Sequence, residues 1–241
     1  MNNWERNVLC IVAFSRILCY NENKKKVKQL VYYCNNLPEQ IAPEQIALLP
    51  AERRARLEKY KREADRILCA AAYRLYQYGM KTEFGSAPQT YWKTDENGKP
   101  YPENGGDAAF SISHCAEGAA CVIGSNRCGI DYQNLSEVRT DVSKMVCGEG
   151  ELHALSACAH PDRLFCRYWA LKEAYGKYLG CGIVYELKEH DFSGTDDALF
   201  ERFGCCFSVM ETDTSCIAVC ADRFYETDAF VHVPYADLFQ E

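Results

Sequence analysis

The sequence predicts an α+β protein made of two similar halves that meet near residue 130. Three observations lead there. Apolar residues recur at three- and four-residue steps in two long stretches, one opening at Pro50 and one running through Leu164, Tyr168, Leu171, Tyr175 and Tyr178. Each stretch is followed by short segments that alternate apolar and polar residues, as half-buried strands do. At 241 residues the chain can bury one sizeable core or two small ones. The expected organisation is an appendage over 1–27, a first α+β half over 28–129 and a second over 130–241.

The elements follow in order. Val8 to Ala13 is apolar, but Arg16 ends the run, which is too short to span a membrane and makes a poor signal peptide. Gln29 to Cys34 reads as a strand. Pro50 opens a helix whose apolar face holds Leu57, Tyr60, Ala64, Ile67, Leu68, Ala71, Leu75 and Tyr78, and Gly79 is its expected stop. Residues 85–107, rich in Gly, Pro and Asn, read as loop. Phe110–His114, Ala119–Ile123 and Cys128–Tyr132 read as strands, the last two joined by a turn at Ser125-Asn126-Arg127. A helical segment covers Lys144–Cys158. His160-Pro161 breaks it, and a second long helix runs to Gly180 and Gly182. Phe203–Met210 and Cys216–Ala221 form a closing hairpin.

Composition excludes several roles. A net charge of −7 argues against general nucleic-acid binding. The charge is uneven: residues 52–66 hold seven bases against four acids, and residues 186–228 hold eleven acids against three bases. A local basic patch on an acidic protein fits an anionic small ligand or an acidic partner. The fifteen cysteines include no CxxC pair, which leaves no zinc-site spacing. Most lie in apolar runs as small hydrophobes, a usage that points to a reducing cytoplasm.

The second long helix has an unusual second face. Trp169, Glu173 and Lys177 lie four apart, nearly opposite the apolar stripe. A large aromatic beside an acid and a base implies that protein or ligand covers this face. Asp131, at the end of an apolar strand, is costly if buried alone. Two carboxylates from separate elements are the usual minimum for Mg²⁺, which completes its shell with phosphate and water. Lys172 and Lys177 would meet those phosphates as point charges. Ser111, Ser113 and His114 offer short donors to an anion, and Arg53, Arg54, Arg66 and Lys99 can clamp another phosphate.

In order, Gly98-Lys99-Pro100, Phe110-Ser-Ile-Ser113-His114, Gly129-Ile130-Asp131 and Trp169-x-x-Lys172-Glu173-x-x-x-Lys177 resemble the motifs of the 4′-phosphopantetheinyl transferase superfamily, surfactin-synthetase-activating type. The resemblance extends to Pro50-x-Glu52-Arg53-Arg54 with Arg66, and covers roughly residues 29–240. It implies a pseudo-twofold monomer of two α+β halves with the active site in the cleft between them. It implies transfer of the phosphopantetheine arm of coenzyme A to a serine of an acyl or peptidyl carrier protein, releasing adenosine 3′,5′-bisphosphate. Carried over by position, Asp131 and Glu173 would hold Mg²⁺, Lys177 would stabilise phosphate charge and His114 would bond a phosphate oxygen. Lys99, Ser113 and Arg53/Arg54, with Arg66, would contact the 3′-phosphate end, and Trp169 and Lys172 would flank the pantetheine. Glu151 is a candidate base.

Two positions depart from the pattern. Many members place a second acid two residues after the aspartate; here Gln133 stands there, able to bond a metal-bound water without adding charge. Ile67 occupies a position where some members have a phosphate-contacting threonine. A non-catalytic coenzyme A or carrier-binding module is the alternative from another class, and a plain α+β interaction protein with Trp169 in an interface is a third. Carriers are acidic helical bundles, which suits the basic run 52–66 and assigns Arg56 and Lys59 to the carrier.

Overall fold

The computed structural model describes residues 30–85, 92–96, 99–102, 108–124, 127–181 and 188–240. The expected appendage, Gly98, the Ser125-Asn126 turn and Gly182 lie outside them. The chain is mixed α+β, as its patterning implies. Its strands are β1 (Val31–Asn35), β2 (Trp92–Thr94), β3 (Pro100–Pro102), β4 (Ala109–Cys115), β5 (Gly118–Gly124), β6 (Cys128–Asn134), β7 (Leu199–Arg202), β8 (Cys205–Glu211), β9 (Ser215–Ala221) and β10 (Phe230–His232). Its helices are α1 (Pro43–Ala47), α2 (Ala51–Leu57), α3 (Glu63–Phe84), α4 (Ser143–Val146), α5 (Glu149–Ala157) and α6 (Pro161–Leu179).

Two four-stranded sheets carry the fold, ordered β10-β1-β5-β4 and β6-β9-β8-β7. Strand alternation sorts the core into layers. Tyr32, Cys34, Ala119, Cys121 and Ile123 face α3, while Val31, Ala120 and Val122 turn to the other side. There they meet Cys128, Ile130, Tyr132, Ile217 and Val219 of the second sheet. The second sheet's remaining face packs Cys216, Ala218, Cys220 and Phe207 under α6. Strands β5 and β9 are therefore covered on both faces, and every one of their residues is buried. Small Ala and Cys side chains let three apolar layers stack closely.

One connectivity occurs twice. β1 leads into α3, and β5 pairs antiparallel with both β1 and β4. β6 leads into α6, and β9 pairs antiparallel with both β6 and β8. The last residues then cross back: β10 pairs parallel with β1, and Arg74 of α3 donates to the Leu238 carbonyl.

Several element boundaries differ from expectation. The helix opening at Pro50 is two helices. After Leu57 the turn tightens, with Lys59 and Tyr60 donating three residues back, and Arg62 is extended before α3 starts. Gly79 does not stop α3; it lets the helix approach Tyr32 and Ile123, since a Cβ there would lie 2.4 Å from Ile123 Cδ1. The stop is Gly85, with φ +74°. The segment 144–158 breaks at Gly148, whose N–H is accepted by Glu151 as α5 begins. Part of the expected loop 85–107 is the hairpin β2–β3, which brings Trp92 against Tyr73, Tyr76 and Phe110.

Candidate active site

The site forms where an edge of each sheet meets beneath α6. On β6, Cys128, Ile130 and Tyr132 enter the inter-sheet core, so Gly129, Asp131 and Gln133 take the opposite face. Gly129 makes the approach possible: a Cβ there would sit 2.1 Å from the Ala174 carbonyl oxygen and 2.4 Å from the Tyr178 nitrogen, both of α6. β4 runs beside β6 and joins it through hydroxyls. Ser111 Oγ accepts from the Ile130 N–H at 3.2 Å, and Ser113 Oγ donates to Asp131 Oδ1 at 2.8 Å.

Lys177 closes this group. Its ammonium lies 2.7 Å from Asp131 Oδ1 and 3.0 Å from Ser113 Oγ. One turn back on α6 stands Glu173. Burial, and then the neighbouring Asp131 charge, push the Glu173 carboxyl above its ordinary range, with Lys177 opposing. Asp131 Oδ2 and Glu173 Oε1 are both buried and have no hydrogen-bond partner. One lysine thus faces two carboxylates, and two of their oxygens lack a donor.

Two cavities flank the group. A cavity of about 170 Å³ is bounded by Arg53, Arg56, Tyr60, Trp92, Ile112 and His114. Arg53 is nearly buried, and its guanidinium lies 3.5 Å from the centre of the Trp92 ring and 4.9 Å from that of Tyr73. His114 leaves β4 on the face opposite Ser113. Its ring reaches solvent on one side while protein crowds the others, and that desolvation, followed by the Lys177 charge, lowers its pKa. At the other end a more apolar cavity of about 260 Å³ lies among Gln133, Val138, Val142, Phe165 and Trp169.

The expected residues divide. Ser113, Asp131, Glu173 and Lys177 come together, with Gln133 and His114 at the two ends. Lys172 and Glu151 do not enter the cleft. They form a pair at 2.9 Å with neither side chain exposed, and Glu151 also accepts from the Gly148 and Phe192 N–H groups. Lys172 further donates to the His190 carbonyl. A carboxylate so fully engaged is not free to take a substrate proton. Lys99 donates to the carbonyls of Lys177, at 2.7 Å, and of Cys128 and Tyr178, capping α6. Arg54 donates to Leu49 and Ala47 carbonyls, and Arg66 pairs with Glu63. Trp92 and Tyr60 are not expected at the site from the sequence, which puts Tyr60 on the apolar face of a helix; the short alternation of Trp92-Lys93-Thr94 was the available signal for the first. Among the described residues no cluster of three metal-ligating acids, histidines or cysteines occurs.

A buried acid pair answered by one lysine, beside a pocket of cations and aromatics, suits a ligand that carries phosphate. Residues 127–221, which contain Asp131, Gln133, Glu173 and Lys177, match the model of the 4′-phosphopantetheinyl transferase superfamily. The chain is 26% identical over 156 residues to a 4′-phosphopantetheinyl transferase of Bacillus subtilis, covering 63% of this chain and 69% of that protein. It is 31% identical over 166 residues to an L-aminoadipate-semialdehyde dehydrogenase-phosphopantetheinyl transferase of Eremothecium gossypii, covering 63% and 58%. The solved structure of Thermotoga maritima holo-[acyl-carrier-protein] synthase aligns with 40% of this chain and 63% of its own, at 20% identity and a TM-score of 0.29. The chain spans between 42% and 69% of the length of the curated relatives it matches.

Proposed function

We propose that this protein transfers the 4′-phosphopantetheine arm of coenzyme A to a serine of an acyl or peptidyl carrier protein, releasing adenosine 3′,5′-bisphosphate. The observation that carries the reading is the group of Asp131, Glu173 and Lys177 inside the matched segment, with two buried carboxylate oxygens lacking a donor. Each such oxygen costs about 1–3 kcal/mol. A hard divalent cation bound by oxygens relieves both, so the residues fit Mg²⁺, held by Asp131 and Glu173 with Gln133 reaching it through water. Such an ion, when bound, neutralises charge on a pyrophosphate.

The chain's own groups do the rest. Ser113 and Lys177 fix the Asp131 carboxylate by two contacts to Oδ1, leaving Oδ2 aimed elsewhere. Lys177, on the cleft side of α6, offers remaining N–H donors to phosphate oxygens as the bond to the leaving nucleotide breaks. His114, with its lowered pKa, stands neutral at pH 7 and presents a ring nitrogen to the same oxygens. The carrier hydroxyl must lose a proton as it attacks phosphorus. With Asp131 and Glu173 both assigned to the ion, that proton leaves to solvent rather than to either carboxylate.

The repeated connectivity supports a pseudo-twofold relation between a half around α3 and a half around α6, with the cleft between them. The expected division at 28–129 and 130–241 then needs two adjustments: β6 starts at Cys128, and residues 230–240 return to the first half. The acid pair and its lysine are contributed by a single chain, which supports a monomer. Free thiols at every described cysteine support a reducing, cytoplasmic setting. No helix among the described residues is long and apolar enough to cross a membrane.

The test is direct. The protein is mixed with coenzyme A, Mg²⁺ and a panel of apo carrier proteins, and each carrier is weighed by mass spectrometry. A carrier that gains the phosphopantetheine mass supports the reading. Measurable coenzyme A binding with no carrier modified would favour the binding module instead, a reading that Gln133 alone recommends.

A further inference from the structure

The ammonium of Lys99 holds two elements of the site at once. Lys99 lies just before β3, where its backbone is fixed by Asp95 at the end of β2. The Lys99 N–H donates to Asp95 Oδ1 at 2.8 Å, and the Asp95 N–H donates to the Lys99 carbonyl at 3.0 Å. From there the side chain donates to the carbonyls of Lys177 at 2.7 Å, Tyr178 at 3.3 Å and Cys128 at 3.3 Å. The first two belong to the last turn of α6, whose carbonyls have no partner within the helix. The third opens β6, beside the point where Gly129 lets strand and helix touch. We infer that Lys99 is a positioning residue: it staples the end of α6 to the start of β6 and so sets the Lys177 ammonium against Asp131 and Ser113.

The inference rests on the proposed function and adds a residue to it. An ammonium has three N–H donors, and three carbonyls take them. None is left for the phosphate contact that the resemblance implies at Lys99. The charge also sits at the negative end of the α6 dipole, where a cation is favoured. Lys177 needs this support because its long, flexible stem starts from a helix end, the part of a helix that frays first. With the last turn loose, the ammonium would not keep its 2.7 Å contact with Asp131 Oδ1. The hairpin that carries Lys99 also brings Trp92, Thr94 and Pro100 to the smaller cavity, so the same staple ties that cavity to α6.

Two readouts test it, on wild type, Lys99→Gln, Lys99→Arg, Lys177→Gln and the double variant that combines the two glutamines. In transfer to an apo carrier with coenzyme A and Mg²⁺, Lys99→Gln should lower kcat about 10–100-fold, the scale for a misplaced group. Lys99→Arg, which keeps charge and donors, should recover part of that loss. In the Lys177→Gln background the Lys99 substitution should cost little more, because it acts through the ammonium already removed. The second readout is calorimetric binding without a carrier. The ratio of Kd values for coenzyme A and 3′-dephospho-coenzyme A should be the same in Lys99→Gln as in wild type. A ratio that collapses shows a phosphate contact at Lys99 and overturns the inference. Rate losses that multiply in the double variant, or a Lys99→Gln protein with wild-type kcat, overturn it as well, and all three leave the proposed function standing. If circular dichroism shows Lys99→Gln unfolded, Lys99→Arg carries both measurements. A wild type that modifies no carrier overturns the proposed function and the inference together.

Discussion

The Lys172 ammonium lies 2.9 Å from the Glu151 carboxylate, and neither side chain reaches solvent. Lys172 immediately precedes Glu173 on α6, so one residue anchors the helix to α5 while the next faces Asp131. The same pair holds the chain after α6, through the Phe192 N–H and the His190 carbonyl.

Breaking this pair should destabilise the fold strongly. Lys172→Met leaves a buried carboxylate without its cation, which costs about 3–5 kcal/mol. Glu151→Gln should be costly as well, because it leaves the Lys172 ammonium unpaired and its one amide oxygen can accept only one of the Gly148 and Phe192 N–H groups. Urea unfolding measures both losses; a variant as stable as wild type would contradict the expectation.

Glu173→Gln should separate stability from activity. It removes a buried charge that sits against Asp131, so the unfolding temperature should hold or rise. Transfer should fall by about 10²–10³-fold, the scale for losing a central electrostatic group. Calorimetry and the mass-spectrometric assay read the two effects separately.

The same residue gives a pH signature in EDTA. Its folded pKa lies above the ordinary 4.5, so between those values the folded state binds more protons than the unfolded state. Stability from this group is present below pH 4.5 and is lost as pH rises through the folded pKa. Glu173→Gln should flatten that decline in a series of unfolding midpoints; an unchanged slope would point to another group.

Gln133→Glu should lower the Mg²⁺ concentration that half-saturates transfer, since it adds a charged oxygen beside the acid pair. A titration that gives the same half-saturation point for both proteins would remove Gln133 from the metal environment.

Gly129→Ala should be poorly tolerated. Its Cβ would meet α6 backbone, at 2.1 Å from the Ala174 oxygen, and backbone cannot swing aside. A loss of about 1–3 kcal/mol or more is expected, with transfer reduced as α6 lifts from Asp131. Gly79→Ala should cost less, because the nearest atom it meets is the end of the Ile123 side chain.

Much of the fold is legible in the residues themselves. Strand alternation at 110–114 and 128–132, the apolar stripe of α6 and the break at Pro161 depend on local periodicity and backbone chemistry, which a sequence carries directly. So does the odd face of α6, because residues four apart on a helix share a side in any context. Gly79 shows the limit: a helix-stopping residue and a close-packing residue look the same until Tyr32 and Ile123 are in place.

Tertiary structure alone decided which charges remain available for chemistry. In the sequence, Lys99, Lys172, Arg54 and Glu151 look as suited to a phosphate cleft as Lys177 and Glu173. Arg54 is held by carbonyls only five and seven residues back, but Lys99 reaches Cys128 and Lys172 reaches Glu151, each more than twenty residues away. Those contacts depend on how the layers stack, and no local pattern encodes them. What the sequence determined was the periodicity that puts Asp131 and Glu173 on facing elements. What the fold determined was that two of their oxygens stay buried without a donor, the observation on which the proposed cation site rests.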